Sequence, residues 1–170
     1  PMCGISGIFD LQGQRDIDVL LLARMNHSLR HRGPDEGGLH REPGLGLAHR
    51  RLSVIDLASG QQPLFNAERS VAIVFNGEIY NYRSLMAELR QFGHTFRTSS
   101  DTEVIVHAWE QWGEQCVRRL RGMFAFALWD RRRHLLFLAR DRLGVKPLYY
   151  GQAQDGTVAF GSELKALLAH

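Results

Sequence analysis

The sequence predicts an α+β fold, and three observations carry that expectation. Strand-like and helix-like segments come in blocks without strict βαβα alternation, which argues against a doubly wound parallel sheet. The C-terminal part of the chain holds successive strand-like runs, "MFAFALWD", "LLFLARD", "PLYYG" and "TVAFGSE". Between the strand blocks, apolar residues recur at helical spacing behind recognisable caps.

Taken in order, "GISGIFD" is short, apolar and bounded by glycines, and reads as a buried strand. A helix is expected next, with Asp16 as N-cap and Ile17, Leu20, Leu21, Met25 and Leu29 as its apolar stripe. It ends before "HRGPD", where Gly33, Pro34 and Asp35 are turn chemistry. "GLGLAHRRLSVID" and "SVAIVFNGEIY" read as strands, and "LASGQQPLFNAER" between them reads as a loop. A second helix starts near Asn81, carries Leu85, Met86, Leu89 and Phe92 on one face, and stops at Gly93. A third starts at Ser100, where "SDTE" fits a capping box with Glu103, and Val104, Ile105, Ala108, Trp109 and Trp112 form its stripe. The final "SELKALLAH" looks like a helix that runs out, which suggests that the natural protein continues.

The chain of 170 residues is 44% hydrophobic and 23% charged, ordinary for one globular domain, and shows no internal repeat or low-complexity segment. Its apolar runs fall short of the ~18 residues of a membrane span, and no secretory signal is seen, so a cytoplasmic protein with reduced Cys3 and Cys116 is expected. A formal charge of +3 is mild, and the arginine patch Arg131 to Arg133 sits between two strand-like runs as a solvated hairpin turn, so nucleic-acid binding is not expected. His27 and His31 are four apart on the predicted helix, but Ser28 replaces the glutamate of "HExxH" and no third ligand is evident, so no metal site is expected. Cys116 reads as core packing, and His49, His94 and His107 have no partner that the sequence identifies.

The chemistry concentrates in a few places. Cys3 stands almost at the N-terminus, where a free α-amine of pKa about 7.7 to 8.0 would serve as base to a thiol were the cysteine first in the chain. A buried structural cysteine is the alternative. Asn76 and Gly77 are read as closing the strand "VAIVF", so that a side-chain amide and a backbone N–H converge on one spot as an oxyanion hole requires; a plain Asn-Gly turn is the competing reading. Arg51 is suited to a carboxylate and Asp101 to an ammonium, and an amino acid carries both groups; each also makes sense as an ordinary surface or capping residue.

"MCGISGIFD", "HRGPD", "GLAHRRLSVIDL", "FNGEIYN", "SDTEV", "GMFAFALWD", "RDRLGVKPLYY" and "SELKAL", in that order, cover nearly the whole chain and resemble the N-terminal glutaminase domain of asparagine synthetases. That family belongs to the class II glutamine amidotransferases. The resemblance implies the N-terminal-nucleophile hydrolase fold, a four-layer αββα sandwich of two antiparallel sheets. It also implies that Cys3 attacks the side-chain amide of L-glutamine, releasing ammonia and leaving a thioester that water hydrolyses. Asn76 and Gly77 match the oxyanion hole, Arg51 the clamp on the α-carboxylate and Asp101 the partner of the α-ammonium, with Glu78 and the backbone of Leu52 and Val54 lining the same pocket. No cofactor is implied for this domain; ATP and magnesium belong to the C-terminal synthetase domain, for which no pyrophosphate loop or P-loop is found here.

One departure concerns Pro1 and Met2, which precede Cys3. An amide nitrogen at Cys3 has no basic lone pair, so the chain as written is expected to be a poor glutaminase. Two rival classes stay open: an amidotransferase domain serving another acceptor, such as a sugar or nucleotide, and a non-catalytic binding or assembly module. Oligomeric state, a homodimer included, is also left open.

Overall fold

The computed structural model describes residues 3–52 and 60–170. Pro1, Met2 and Val54 therefore lie outside the described residues. In chain order the elements are β1 (Gly4–Asp10), α1 (Val19–Ser28), β2 (Glu36–Glu42), β3 (Leu45–Arg51), β4 (Leu64–Phe65), β5 (Val71–Ile79), α2 (Tyr82–Gln91) and α3 (Asp101–Trp112). A 3-10 turn (Gly113–Arg118) leads to β6 (Gly122–Asp130), β7 (Leu135–Arg140), β8 (Tyr149–Gln152), β9 (Thr157–Gly161) and α4 (Leu164–Leu168).

The strands form two sheets, one in the order β2-β3-β1-β9-β8 and one in the order β4-β5-β6-β7, with every pairing antiparallel. Alternation along the strands builds the layers. Ile5 and Phe9 of β1, Leu45 and Leu47 of β3 and Phe160 of β9 meet Ala72, Val74, Ala125, Ala127 and Trp129 of the other sheet, forming the core between sheets. The opposite faces bury against helices: Ile8 and Ala159 pack with Met25 and Leu167, while Val71, Ile73, Phe75, Phe124, Phe126 and Leu128 pack with α2 and α3. The result is the four-layer αββα sandwich. Each large aliphatic side chain fully buried in these cores contributes ~1.5–3 kcal/mol.

Several details differ from the sequence expectation. The first helix is capped by Asp18, whose carboxylate accepts from Leu20 N at 2.8 Å, because Asp16 is turned outward to Arg41. His31 lies beyond the end of α1 and pairs with Glu163 at 2.9 Å. "EGGLHRE" is an edge strand, β2, and "LF" within the expected loop pairs with β5 as β4. At α3, Ser100 accepts from Glu103 N at 3.3 Å as the capping box predicts, but the Glu103 carboxylate returns further, to Arg97 N (2.9 Å) and Thr98 N (2.6 Å). The arginine patch is the β6–β7 turn, and its guanidinium groups pair with Glu42, Glu68 and Glu114. Both cysteines are free, and burial in the α2–α3 core pushes the Cys116 thiol up to about 12.

Candidate active site

Cys3 immediately precedes β1, at the end of a central strand, and two distant segments hold that end in place. Arg32, from "HRGPD", donates through Nε to the Cys3 carbonyl at 3.1 Å and through Nη1 to Glu163 at 2.9 Å. Ser162, from "SELKAL", exchanges two bonds with Ile5: its Oγ accepts from Ile5 N at 3.0 Å, and its N–H donates to Ile5 O at 2.9 Å. Burial alone would raise the Glu163 pKa, yet hydrogen bonds from Arg32, His31 and Lys165 bring it down to about 2. Glu163 is therefore an anion that ties Arg32 and Lys165, and hydrogen-bonds His31, beside the first strand.

Asn76 and Gly77 do not close their strand; they sit within β5, opposite Ala125 and Phe124 of β6. The closeness of β6 makes glycine obligatory at 77, where φ is +153° and a Cβ would meet Met123 O at 2.1 Å. This also disposes of the Asn-Gly turn reading. Asn76 is 2% exposed, and its Nδ2 has no hydrogen-bond partner among the described residues. A buried amide donor left unsatisfied costs ~1–3 kcal/mol, a cost that any hydrogen-bond acceptor reaching it would remove.

A cavity of about 490 Å³ brings together Cys3, Arg51, Gly77, Glu78 and Asp101, together with His49. Leu52 follows β3 half-buried and is not among the lining residues. Asp101 opens α3, and its Oδ2 accepts from Ile79 N at 2.9 Å, which pins the helix start to the end of β5. Burial raises the Asp101 pKa above its usual 3.8, backbone N–H groups of Ile79 and Thr102 oppose that, and the nearby Glu78 charge adds to it. Arg51 ends β3, is almost fully buried, and lies 3.5 Å from Glu36. A desolvated guanidinium and a desolvated carboxylate thus face one cavity.

Sequence reasoning missed three groups around this site. His49 lines the cavity and is 2% exposed; burial, reinforced by the Arg51 and Arg50 charges, depresses its pKa to about 4, so it is neutral at pH 7. Arg32 and Glu163 were visible as motif residues but not as the clamp on Cys3. Lys146 lies in the "RDRLGVKPLYY" motif, where the sequence assigns it no role. It is 6% exposed, and its pKa is lowered by burial and by the Arg32 charge, against the attraction of Cys3, Asp141 and Glu78. Asp141 shapes that turn by accepting from Phe124, Leu143, Val145 and Lys146 N–H groups at 3.0–3.2 Å. The only sequence signal for a buried cation was the lysine inside the otherwise apolar "LGVKPLYY".

The chain as a whole resembles known proteins. A glutamine amidotransferase domain model matches residues 2–170. Asparagine synthetase [glutamine-hydrolyzing] 3 of Bacillus subtilis is 45% identical over 99% of this chain, and asparagine synthetase [glutamine-hydrolyzing] of Zea mays is 46% identical over 98%. The chain spans only 28% of the length of either relative. Among solved structures, the glutamine phosphoribosylpyrophosphate amidotransferase of B. subtilis superposes with a TM-score of 0.75 at 24% identity, covering 98% of this chain and 43% of its own. That likeness agrees with the sandwich of two antiparallel sheets flanked by helices. The family match over nearly the whole chain settles membership: this chain belongs to the glutamine amidotransferase domain family.

Proposed function

We propose that this domain hydrolyses the side-chain amide of L-glutamine to glutamate and ammonia. One observation carries the reading: a single cavity gathers a thiol, a cation and an anion suited to an amino acid with the Gly77 backbone, and next to Gly77 in β5 the buried Asn76 amide has no partner among the described residues. With the chain processed to begin at Cys3, the α-amine takes the thiol proton as sulfur attacks the glutamine amide carbon. The oxyanion that forms is held by the Asn76 side chain and the Gly77 N–H. Collapse breaks the C–N bond, the amine returns its proton to the leaving nitrogen, and ammonia departs from a glutamyl thioester. Water, deprotonated by the same amine, attacks the thioester carbon, and glutamate leaves with Cys3 restored. Arg51 holds the α-carboxylate and Asp101 the α-ammonium, with Glu78 beside them.

The ammonia is passed to an ATP- and magnesium-dependent synthetase domain that forms asparagine, in the portion of the relatives that this chain does not span. Identities of 45 and 46% to asparagine synthetases support this acceptor over a sugar or nucleotide. The exposed Leu143 and Val145, and Tyr149 and Tyr150 on edge strand β8, offer an apolar face for that domain to cover. No helix among the described residues is long and apolar enough to cross a membrane.

The decisive experiment measures glutamate release from L-glutamine by the chain beginning at Pro1 and by a form processed to begin at Cys3, each verified by intact mass. Activity confined to the second form, and lost in Cys3→Ala, is the expected result. Equal activity in both would remove the terminal amine from the mechanism.

A further inference from the structure

Away from the cavity, residues with no evident partner in the sequence come together. α2 ends in a Schellman motif: Gly93, at φ +93°, donates to Arg90 O at 3.0 Å, and His94 N donates to Leu89 O at 3.1 Å. This places His94 at a defined position beside α3, where His107 and Glu110, three residues apart, share one face. His94 Nδ1 lies 3.2 Å from His107 Nδ1 and 3.4 Å from Glu110 Oε2, and His107 Nδ1 lies 2.7 Å from the same oxygen. A point ~2 Å from all three atoms, the usual zinc–nitrogen and zinc–carboxylate length, sits just off their plane.

From this geometry we propose that His94, His107 and Glu110 form a binding site for one divalent transition-metal ion of the zinc class. Each ligand is oriented by a second group, as in established metal centres. His94 Nε2 faces Gln111 Oε1 at 3.0 Å, a contact that places the ring proton on Nε2 and leaves the Nδ1 lone pair for the metal. Asn66 Nδ2 donates to Glu110 Oε1 at 2.7 Å, leaving Oε2 turned to the histidines. His107 Nε2 lies 3.5 Å from the buried Glu103 Oε1, which accommodates the ring proton when Nδ1 binds a cation. Metal binding displaces the proton that otherwise lies between His107 Nδ1 and Glu110. Two imidazoles and one carboxylate favour zinc over magnesium or calcium, whose ligands are oxygen only. The His94 and His107 side chains are 16% and 10% exposed and that of Glu110 is 27%, so entry is from the Glu110 side, where water completes the coordination. The ion would clip the α2–α3 connection to α3, the helix that carries Asp101 at its start.

The test uses the Cys3→Ser protein, which removes the half-buried cavity thiol as a competing ligand and makes the result independent of glutamine hydrolysis. Zinc is titrated against a chromophoric chelator, and thermal unfolding is recorded with zinc and with EDTA. One ion bound per chain, with a midpoint that rises in zinc, is expected; His94→Gln and Glu110→Gln, each confirmed as folded by circular dichroism, should each weaken binding by ~100-fold or more, beyond the 10- to 100-fold typical of losing an outer-shell partner. Absence of one-to-one binding in the parent, or unchanged affinity in either folded variant, overturns the site.

Discussion

The two sheets deliver the reactive groups by different means. β1 brings Cys3 to the cavity, and its end is held by side chains: Arg32 on the Cys3 carbonyl, Ser162 on Ile5, and Glu163 binding Arg32. β5 brings Asn76 and Gly77, and there the main chain does the positioning, through nine paired positions with β6 and an approach too close for any Cβ. Polar clamps around Cys3 can loosen without unfolding β1, whereas β5 cannot shift without disturbing the sheet. Damage to the two regions should therefore look different.

The largest effect is expected at Gly77. Gly77→Ala drives a methyl group to 2.1 Å from Met123 O, so the β5–β6 pair must part, and stability should fall along with turnover. A thermal midpoint within a degree of the parent would show that the strand pair yields more easily than its register implies. Asn76→Ala separates chemistry from packing on the same strand. Removal of one oxyanion donor costs ~100- to 1000-fold in kcat, while deleting an already unpartnered amide leaves the unfolding midpoint near the parent's. Single-turnover thioester formation is the suitable readout; a rate close to the parent's would take Asn76 out of the mechanism.

β3, next to β1, provides the next test through His49. Its pKa is about 4 in the folded protein and about 6.5 unfolded, so below pH 6.5 the unfolded chain takes up a proton first. Stability from this residue should fall as pH drops from 6.5 to about 4 and level off below, a loss on the order of 3 kcal/mol. Urea titrations across that window in the parent and in His49→Gln would resolve it, the slope being absent from the variant. At the clamp, Arg32→Met should lower kcat by ~10-fold and lower the midpoint measurably, since its bonds to the Cys3 carbonyl and to Glu163, each worth ~1.5–3 kcal/mol, are lost together at a strand end. A kcat unaltered by that change would mean that Ser162 suffices to hold Cys3.

The contrast between the sheets also explains what was legible in the sequence. α2 and α3 were readable because their caps and stripes are local, and Gly93 and Ser100 serve as predicted. Short strand-like runs gave β5, β6 and β9 for the same reason. β2 was missed because an edge strand with glycines and charges carries no apolar pattern, and β4 because two residues hold no periodicity. Among the site residues, Cys3, Arg51, Gly77, Glu78 and Asp101 were named from motif and resemblance, and the cavity assembles them. Arg32, Glu163, Lys146 and His49 could not be found that way: their contacts span the chain, as between Arg32 and Glu163, and burial is set by tertiary packing.

The smallest effect concerns Asp101, where the helix-borne side of the cavity meets substrate. Burial first, and Glu78 further, raise its pKa above 3.8, so its own ionisation costs stability as pH rises through that raised value. Glutamine reverses the penalty, because its α-ammonium favours the carboxylate. Binding should therefore be weak where Asp101 is protonated, and KM should fall as pH rises through the raised pKa before reaching a plateau. Asp101→Asn should raise KM at neutral pH and flatten its dependence on the acid side. The KM-against-pH profile of the two proteins decides the point: an acid limb that survives in Asp101→Asn would show that Asp101 is not the group responsible for it.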